Sequence, residues 1–591
     1  MHRAIRLSPW RAVFALGACF AGAACFAADR PAAPACPEHA ARLKLPAGFC
    51  ATIFADKVGH ARHMVVGPNG VLYVNTWSGR YYPHDSVPAG GFLLALQDTK
   101  GNGHADVIRR FGETLASGGA GGTGIGLYKG YLYAEINDRI VRYKLDANSI
   151  VPTDKPEVVV SGLPLGGDHP MHPFAIDADG MMYVDVASAS NACQKENRVL
   201  RSPGVDPCVE LETRGGIWRY DANKLNQKFS PAERFATGIR NADGIAIDPS
   251  GHGVYATQHG RDQLGQNWPE LYTAEQGAIL PSEVLLHVTQ GGDYGWPECY
   301  YDPLQAKLVL APEYGGDGGK KLGVCADKQG PVAAFPAHWA PDDLLLYAGK
   351  DFPSRYSSGA FLAFHGSWNR APYEQGGYNI VFQPLHGGAA AGQCEIFADG
   401  FAGGHMDPGK ADHRPTGLAL APGGVLYVSD DQHGRIYRIA FTGDPAQVGT
   451  GTRLAPCPSA NATAGKLAVV PSEPPEGTNP DAAAIKLPAG VTPQMVALGA
   501  KIFKGQVGSA ACTGCHGTDG SGTPLGPNLV DHKWLWSDGS VNGIRKTITE
   551  GVATPKEYRS PMPAMGGAQL TSDQLEAVAA YVWTLSHPAA H

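Results

Sequence analysis

The chain has 591 residues, more than one hydrophobic core organises, so two or more domains are expected. Hydrophobic residues make up 43% and charged residues 17%, a globular balance that excludes wholesale disorder. A net charge of -7 leaves no basic surface for nucleic acid, and 77 glycines with 46 prolines favour turns and short strands.

In chain order, His2, Arg3, Arg6 and Arg11 precede an apolar, small-residue run from Ala12 to Ala24, with small residues at Ala27 and Ala28. This is the plan of a secretory signal peptide over residues 1–28, and the apolar run is too short to span a bilayer. A lipoprotein reading at Cys19 is the alternative, although its apolar stretch is short. No later segment supplies the roughly 20 uninterrupted apolar residues of a membrane helix. An exported protein, periplasmic or secreted and without a transmembrane span, is expected.

From about Arg42 to Phe441 one pattern returns: a Gly-containing turn, then a short apolar strand carrying an aromatic residue. It stands at Gly67–Thr76, Tyr128–Ile136, Asp177–Val186, Asp248–Thr257 and Ala421–Asp430, and more loosely at Ser357–Gly366. Several copies are followed by a strand of Arg/apolar alternation, as in DRIVRYKLD and GRIYRIAF. Period-two alternation marks half-buried strands. Repeats of several strands spaced by roughly 50–70 residues suit the blades of a propeller, which bury their faces only by stacking. Six blades are counted over residues 36–441; seven stay open because the insertions are long, and a pair of β-sandwich domains is the alternative.

Twelve cysteines are present. Cys19 and Cys25 fall in the leader, and Cys512 and Cys515 belong to a separate motif. The remaining eight form an even set, which in an exported chain reads as disulfides. Cys36–Cys50, Cys193–Cys208 and Cys299–Cys325 are sequence-local pairs, Cys394 and Cys457 remain by elimination, and the connectivity stays open.

Residues 442–490 are rich in Pro, Ala and Ser without a sustained period and read as a linker. From there to 591 the pattern is helical, in MVALGAKIF and in LTSDQLEAVAAYVWTLSH, the latter capped by Thr571 or Ser572. Between them lies CTGCHG, Cys512–Gly517. The C-x-x-C-H spacing puts two thiols one helical turn apart, where they add across two vinyl groups, and presents His516 to the iron of a c-type haem. A zinc site would want further nearby ligands, and a thioredoxin-like site a βαβ context. The sixth ligand is expected in SPMPAMGGAQ, at Met562 or Met565, because a thioether raises the potential of an electron acceptor. The last hundred residues resemble a class I cytochrome c, a small all-α domain, with Pro527–Leu529 as the loop against the proximal histidine; the resemblance implies Met562 in preference to Met565, because that family's ligand stands in a Met-Pro pair.

The segments GGDHPMHPFAIDADGMMYVDVASASNAC, GIRNADGIAIDPSG, GGDYGWPEC, FHGSWNR and HRPTGLALAPGGVLYVSDD resemble the soluble glucose/sorbosone dehydrogenase family. These are six-bladed propellers that hold pyrroloquinoline quinone (PQQ) with calcium, and the sorbosone or pyranose branch is the more similar. The resemblance implies an all-β propeller followed by the cytochrome domain. It implies His169 as catalytic base, with His172 as runner-up, and Arg240 and Asn241 as contacts to the quinone. Gly260 and Arg261 would offer backbone carbonyls to calcium, and Arg414 and Arg370 would pair with quinone carboxylates. A sugar (aldose, sorbosone-like) or alcohol would be oxidised and electrons passed through the haem to an external acceptor, a cytochrome or quinone pathway. There are departures: no glutamine in Gly118–Gly126, Ser188 where an acid partner of the base is expected, and Asn369 in place of a lysine. The turn Asp98–Asp106 resembles a calcium loop, but Lys100 replaces a ligand, so a plain turn is expected. A lactonase-like propeller, or a non-catalytic docking propeller beside the haem, is the alternative function.

Overall fold

A computed structural model describes residues 41–587 apart from internal stretches, the longest being 78–88, 113–121, 444–454 and 458–486. The leader and Cys36 lie outside the described residues. Among those described, no helix is long and apolar enough to cross a membrane.

Strands fill the chain from Phe49 to Phe441 and form six blades, each built on four antiparallel strands; Gln227–Lys228 adds in parallel to Glu157–Ser161 of blade two, and Cys299–Asp302 with Lys307–Leu310 forms a separate hairpin. Each recurring Gly-turn pattern is a hairpin, or the second strand, of one blade. In blade one, Ala61–Val66 pairs with Leu72–Thr76 across the turn at Pro68–Gly70, and the pattern at Ser357–Gly366 is the second strand of blade five, Gly359–Phe364. The second strands are buried along their whole length, as in Leu72–Thr76 and Leu426–Asp430. Stacking on both faces is the cause: alternate side chains point to opposite sides of a strand. Tyr73 thus packs into the core shared with blade two, while Leu72 and Val74 enter the core shared with blade six. Six such inter-blade cores follow one another around the ring.

The first strands of the blades neighbour one another in a closed circle around the axis. The ring is closed by Phe49–Ala55, which adds to the sixth blade by pairing with Ile436–Phe441 in the register Phe49↔Phe441. Disulfides join Cys193–Cys208, Cys299–Cys325 and Cys394–Cys457. Cys50 is also disulfide-bonded. Within the stretch read as a linker, Ala455–Pro456 pairs with Glu395–Ala398 on the edge of blade five, so the first part of that stretch is pinned to the propeller.

The C-terminal region is helical: Pro493–Phe503, Cys512–His516, Val541–Glu550 and Ser572–Leu585. Thr571 caps the last helix through a reciprocal pair of hydrogen bonds with Gln574. The first and last helices cross at Gly499, where a Cβ would lie 2.0 Å from the Ala577 carbonyl oxygen. A side chain there would force the helices apart.

Candidate active site

Loops that lead into the first strands and out of the second strands gather at one end of the ring. Their side chains line a pocket that includes His169, Arg240, Asn241, Asp262, Trp368 and Arg414. His169 stands in the loop leading to Phe174–Ile176 of blade three. Its Nδ1 lies 2.9 Å from the Ser188 carbonyl oxygen and 3.1 Å from Ser188 Oγ. The carbonyl can only accept, so Nδ1 carries the proton and Nε2 is left as a bare acceptor, with no partner among the described residues. Burial and the nearby Arg240 charge hold His169 down at about 3, so the ring is neutral. The serine found in place of the expected acid therefore orients the ring without supplying charge.

His172 is built differently. Its Nδ1 faces Glu135 Oε1 at 3.3 Å and its Nε2 meets the Pro164 carbonyl oxygen at 3.0 Å. Both nitrogens are engaged, and the residue does not line the pocket.

The pocket wall is an ion network centred on Asp262. Its carboxylate accepts from Arg198 and Arg240, each at 3.0 Å, and from Asn369 Nδ2 at 2.8 Å. Burial opposes its ionisation, but Arg240 and Arg198 outweigh that and hold it below the usual carboxylate range. Arg240 also donates to the Gly260 carbonyl oxygen at 3.1 Å, the oxygen expected to face calcium. The Gly260 N–H donates to Glu283 at 2.7 Å, and burial raises that carboxyl to about 8. The Arg261 side chain turns away to pair with buried Glu313.

One expectation is corrected. Arg370 does not line the pocket: it is buried, with its guanidinium on the Glu374 and Ala337 carbonyl oxygens at 3.0 and 3.2 Å. Two main-chain acceptors hold it as a loop brace. Arg414 does line the pocket, and donates to the carbonyl oxygens of His365 and Gly366. Asn241 donates from Nδ2 to Asp243 at 3.4 Å, and its buried Oδ1 has no hydrogen-bond partner among the described residues. The turn at Asp98 is self-contained, its carboxylate accepting backbone N–H groups of Lys100, Asn102 and Gly103.

Sequence reasoning missed the floor of the pocket. Arg62, Asp243, His259, Asp342, His365 and Asp431 converge there from blades one, four, five and six. Their signal was one polar residue at the end of an apolar strand, visible in FHGSWNR and YVSDD, but no spacing joins residues from different blades.

In the helical region a second, mainly apolar crevice is lined by Cys512, Cys515, His516, Met562 and the helix faces of Ile548 and Val582. His516 Nδ1 lies 2.9 Å from the Pro527 carbonyl oxygen, which leaves Nε2 for a metal. Met562 is held in place by a two-way backbone pairing with Val552, whereas Met565 does not line the crevice. The two thiols, the oriented imidazole and the apolar walls fit a covalently held haem. The same Cys512, Cys515, His516 and Met562, with Pro563, Gly566 and Gly567, also line the propeller pocket, so the crevice and the pocket share a wall.

The TrAA12-like family model matches residues 43–442. The chain belongs to the TrAA12-like family. A cytochrome c model matches residues 496–586 of the same chain. The TrAA12-like propeller superposes on the iodide structure of the Trichoderma reesei AA12 enzyme with a TM-score of 0.54, at 18% identity, covering 68% of this chain and 98% of that one. A PQQ-dependent sugar dehydrogenase of Hypocrea jecorina is 23% identical over 220 residues, 35% of this chain and 48% of its own length. The cytochrome region is 39% identical over 95 residues to a cbb3-type cytochrome c oxidase subunit, FixP, of Rhizobium etli, 16% of this chain and 31% of that protein. The chain spans about half the length, or less, of the curated relatives it matches.

The pocket of this TrAA12-like propeller suits a flat polyanionic cofactor. Arg240 and Arg414 supply positive charge, Asn241 a side-chain amide, and Trp368 an aromatic face.

Proposed function

We propose that the protein is a quinohaemoprotein dehydrogenase that oxidises a sugar or an alcohol and passes the electrons through its own haem. The observation that carries this reading is the shared wall: Cys512, Cys515, His516 and Met562 line both the haem crevice and the propeller pocket. Bound PQQ with calcium would supply a hydride acceptor, and haem c a one-electron outlet. The chain's residues then have separable tasks. His169 Nε2 takes the substrate hydroxyl proton, while Ser188 holds the ring in the tautomer that leaves this nitrogen bare. Arg240 and Asn241 face charge that develops on the acceptor, with Arg240 kept in position by Asp262 and Asn191. Arg414 anchors a carboxylate, and the backbone carbonyls of Gly260 and Arg261 are offered to calcium. His516 and Met562 would hold the haem iron. A sugar substrate accords with the similar dehydrogenase of Hypocrea jecorina. Disulfides accord with an exported, periplasmic or secreted setting and an acceptor outside the chain.

The test is haem reduction followed by stopped-flow absorbance with an aldose and an alcohol series. Reduction is expected only in protein loaded with PQQ and calcium, and His169→Ala should slow it by about 10²–10⁴ with both cofactors still bound. Reduction at full rate in His169→Ala would remove the base assignment. Failure of every substrate to reduce haem in loaded protein would remove the dehydrogenase reading.

A further inference from the structure

Between the second strand of blade three, Met181–Val186, and its third, Gly216–Asp221, the chain makes a long excursion at the pocket end of the ring. The disulfide Cys193–Cys208 closes it. Within that closed loop Arg198 takes φ +62°, a left-handed conformation that favours glycine. A bulky residue stays there only where its surroundings hold it. Its N–H donates to Gln194 Oε1 at 2.9 Å, and its guanidinium makes three further bonds. Nε donates to Asp168 Oδ2 at 3.0 Å, Nη2 to Asp262 Oδ2 at 3.0 Å and Nη1 to Gln263 Oε1 at 3.2 Å. Asn197, one residue earlier, donates to both Asp168 oxygens at 3.3 Å.

The two carboxylates stand on opposite sides of the proposed reaction. Asp168 directly precedes His169; burial opposes its ionisation, but the Arg198 charge outweighs that and keeps it below the usual carboxylate range. Asp262 shares Oδ2 between Arg198 and Arg240 and holds Asn369 on Oδ1. The same excursion grips Arg240 directly: the Asn191 carbonyl oxygen accepts Nε at 3.1 Å, and Asn191 Oδ1 accepts Nη2 at 3.0 Å. A planar guanidinium can hold two carboxylates at a fixed separation, which a single ammonium on a flexible stem cannot. Resting on the dehydrogenase reading, we infer that Arg198 is a positioning residue: through Asp168 and Asp262 it fixes the loop that carries His169 against Arg240 on the acceptor side. The disulfide-closed loop is thereby part of the pocket's frame. A displacement of about 1 Å between reacting groups costs on the order of 10²-fold in rate, so such a brace acts on turnover more than on substrate binding.

The test uses the full chain with haem, PQQ and calcium, and follows substrate-driven haem reduction. Wild-type protein in the same run tests the dehydrogenase reading by itself; if it reduces no haem, that reading and this inference fall together. Where wild type succeeds, Arg198→Ala should lower the saturating rate about 10²-fold with little change in KM. Arg198 lines the pocket, so the space it vacates is open to a small guanidine. Ethylguanidine at millimolar concentration should then restore the rate at least tenfold, a response that loss of loop stability alone would not give. Arg198→Lys keeps a positive charge beside both buried carboxylates and so protects the fold, yet it should stay at least tenfold slow. If Arg198→Ala fails to fold, the lysine variant decides. Wild-type rate in Arg198→Lys, or a folded Arg198→Ala that is as fast as wild type or does not answer ethylguanidine, would overturn the inference.

Discussion

His169 and His172 are three residues apart and meet opposite fates. One has a carbonyl on Nδ1 and an unpartnered Nε2; the other is clasped at both nitrogens. The motif holds both, and only the turn between them decides which ring reaches the pocket. The same holds for Arg370 and Arg414, equally plausible as carboxylate partners until the first is found on main-chain carbonyls. The buried imidazoles also set an acid limit. His169 is held at about 3 and His365 at about 4, mainly by burial, against about 6.5 in an unfolded chain. Between those values the unfolded chain binds more protons, so stability is complete above about pH 6.5 and declines as the pH falls toward 4. Urea midpoints measured from pH 7.5 to 4.5 should fall steadily below 6.5; a flat profile would contradict neutral rings.

Among elements, the segment before the last helix carries two methionines, only one with a fixed backbone. Met562 exchanges hydrogen bonds with Val552 at 2.8 and 2.9 Å, just beyond the helix Val541–Glu550. Met565 follows a turn later with φ at +54° and stands outside the crevice lining. Met562→Ala is expected to abolish the weak thioether-to-iron band of the oxidised haem and to lower its potential, while Met565→Ala changes neither. Spectroelectrochemistry of the two variants decides between them; a potential drop in Met565→Ala alone would reverse the assignment. The Met-Pro pair made this preference legible in the sequence, but the Val552 pairing that fixes it joins residues no local pattern relates.

For the whole molecule, the wall shared by crevice and pocket makes the proposed electron delivery internal. The first-order constant for substrate-driven haem reduction should be the same at 1 and 50 equivalents of relative protein concentration, on the order of magnitude expected for a step within one chain. A rate that rises in proportion to concentration would mean that haem of one molecule is reduced by the propeller of another. The pinning of Ala455–Cys457 to blade five bears on this, because it shortens the span of chain left between the propeller and the helix that begins at Pro493.

Blade periodicity, the even cysteine set and C-x-x-C-H were all readable from the chain alone, because each arises from neighbours in sequence: a hairpin turn, a short loop, one turn of helix. The closing strand Phe49–Ala55 was not legible, since it pairs with residues almost four hundred positions away and looks like any other strand. Nor was the meeting of Asp243 and His259 of blade four with Asp342 of blade five, which no local spacing relates. Local physics wrote the strands and the haem motif; closure of the propeller decided which polar residues share a pocket.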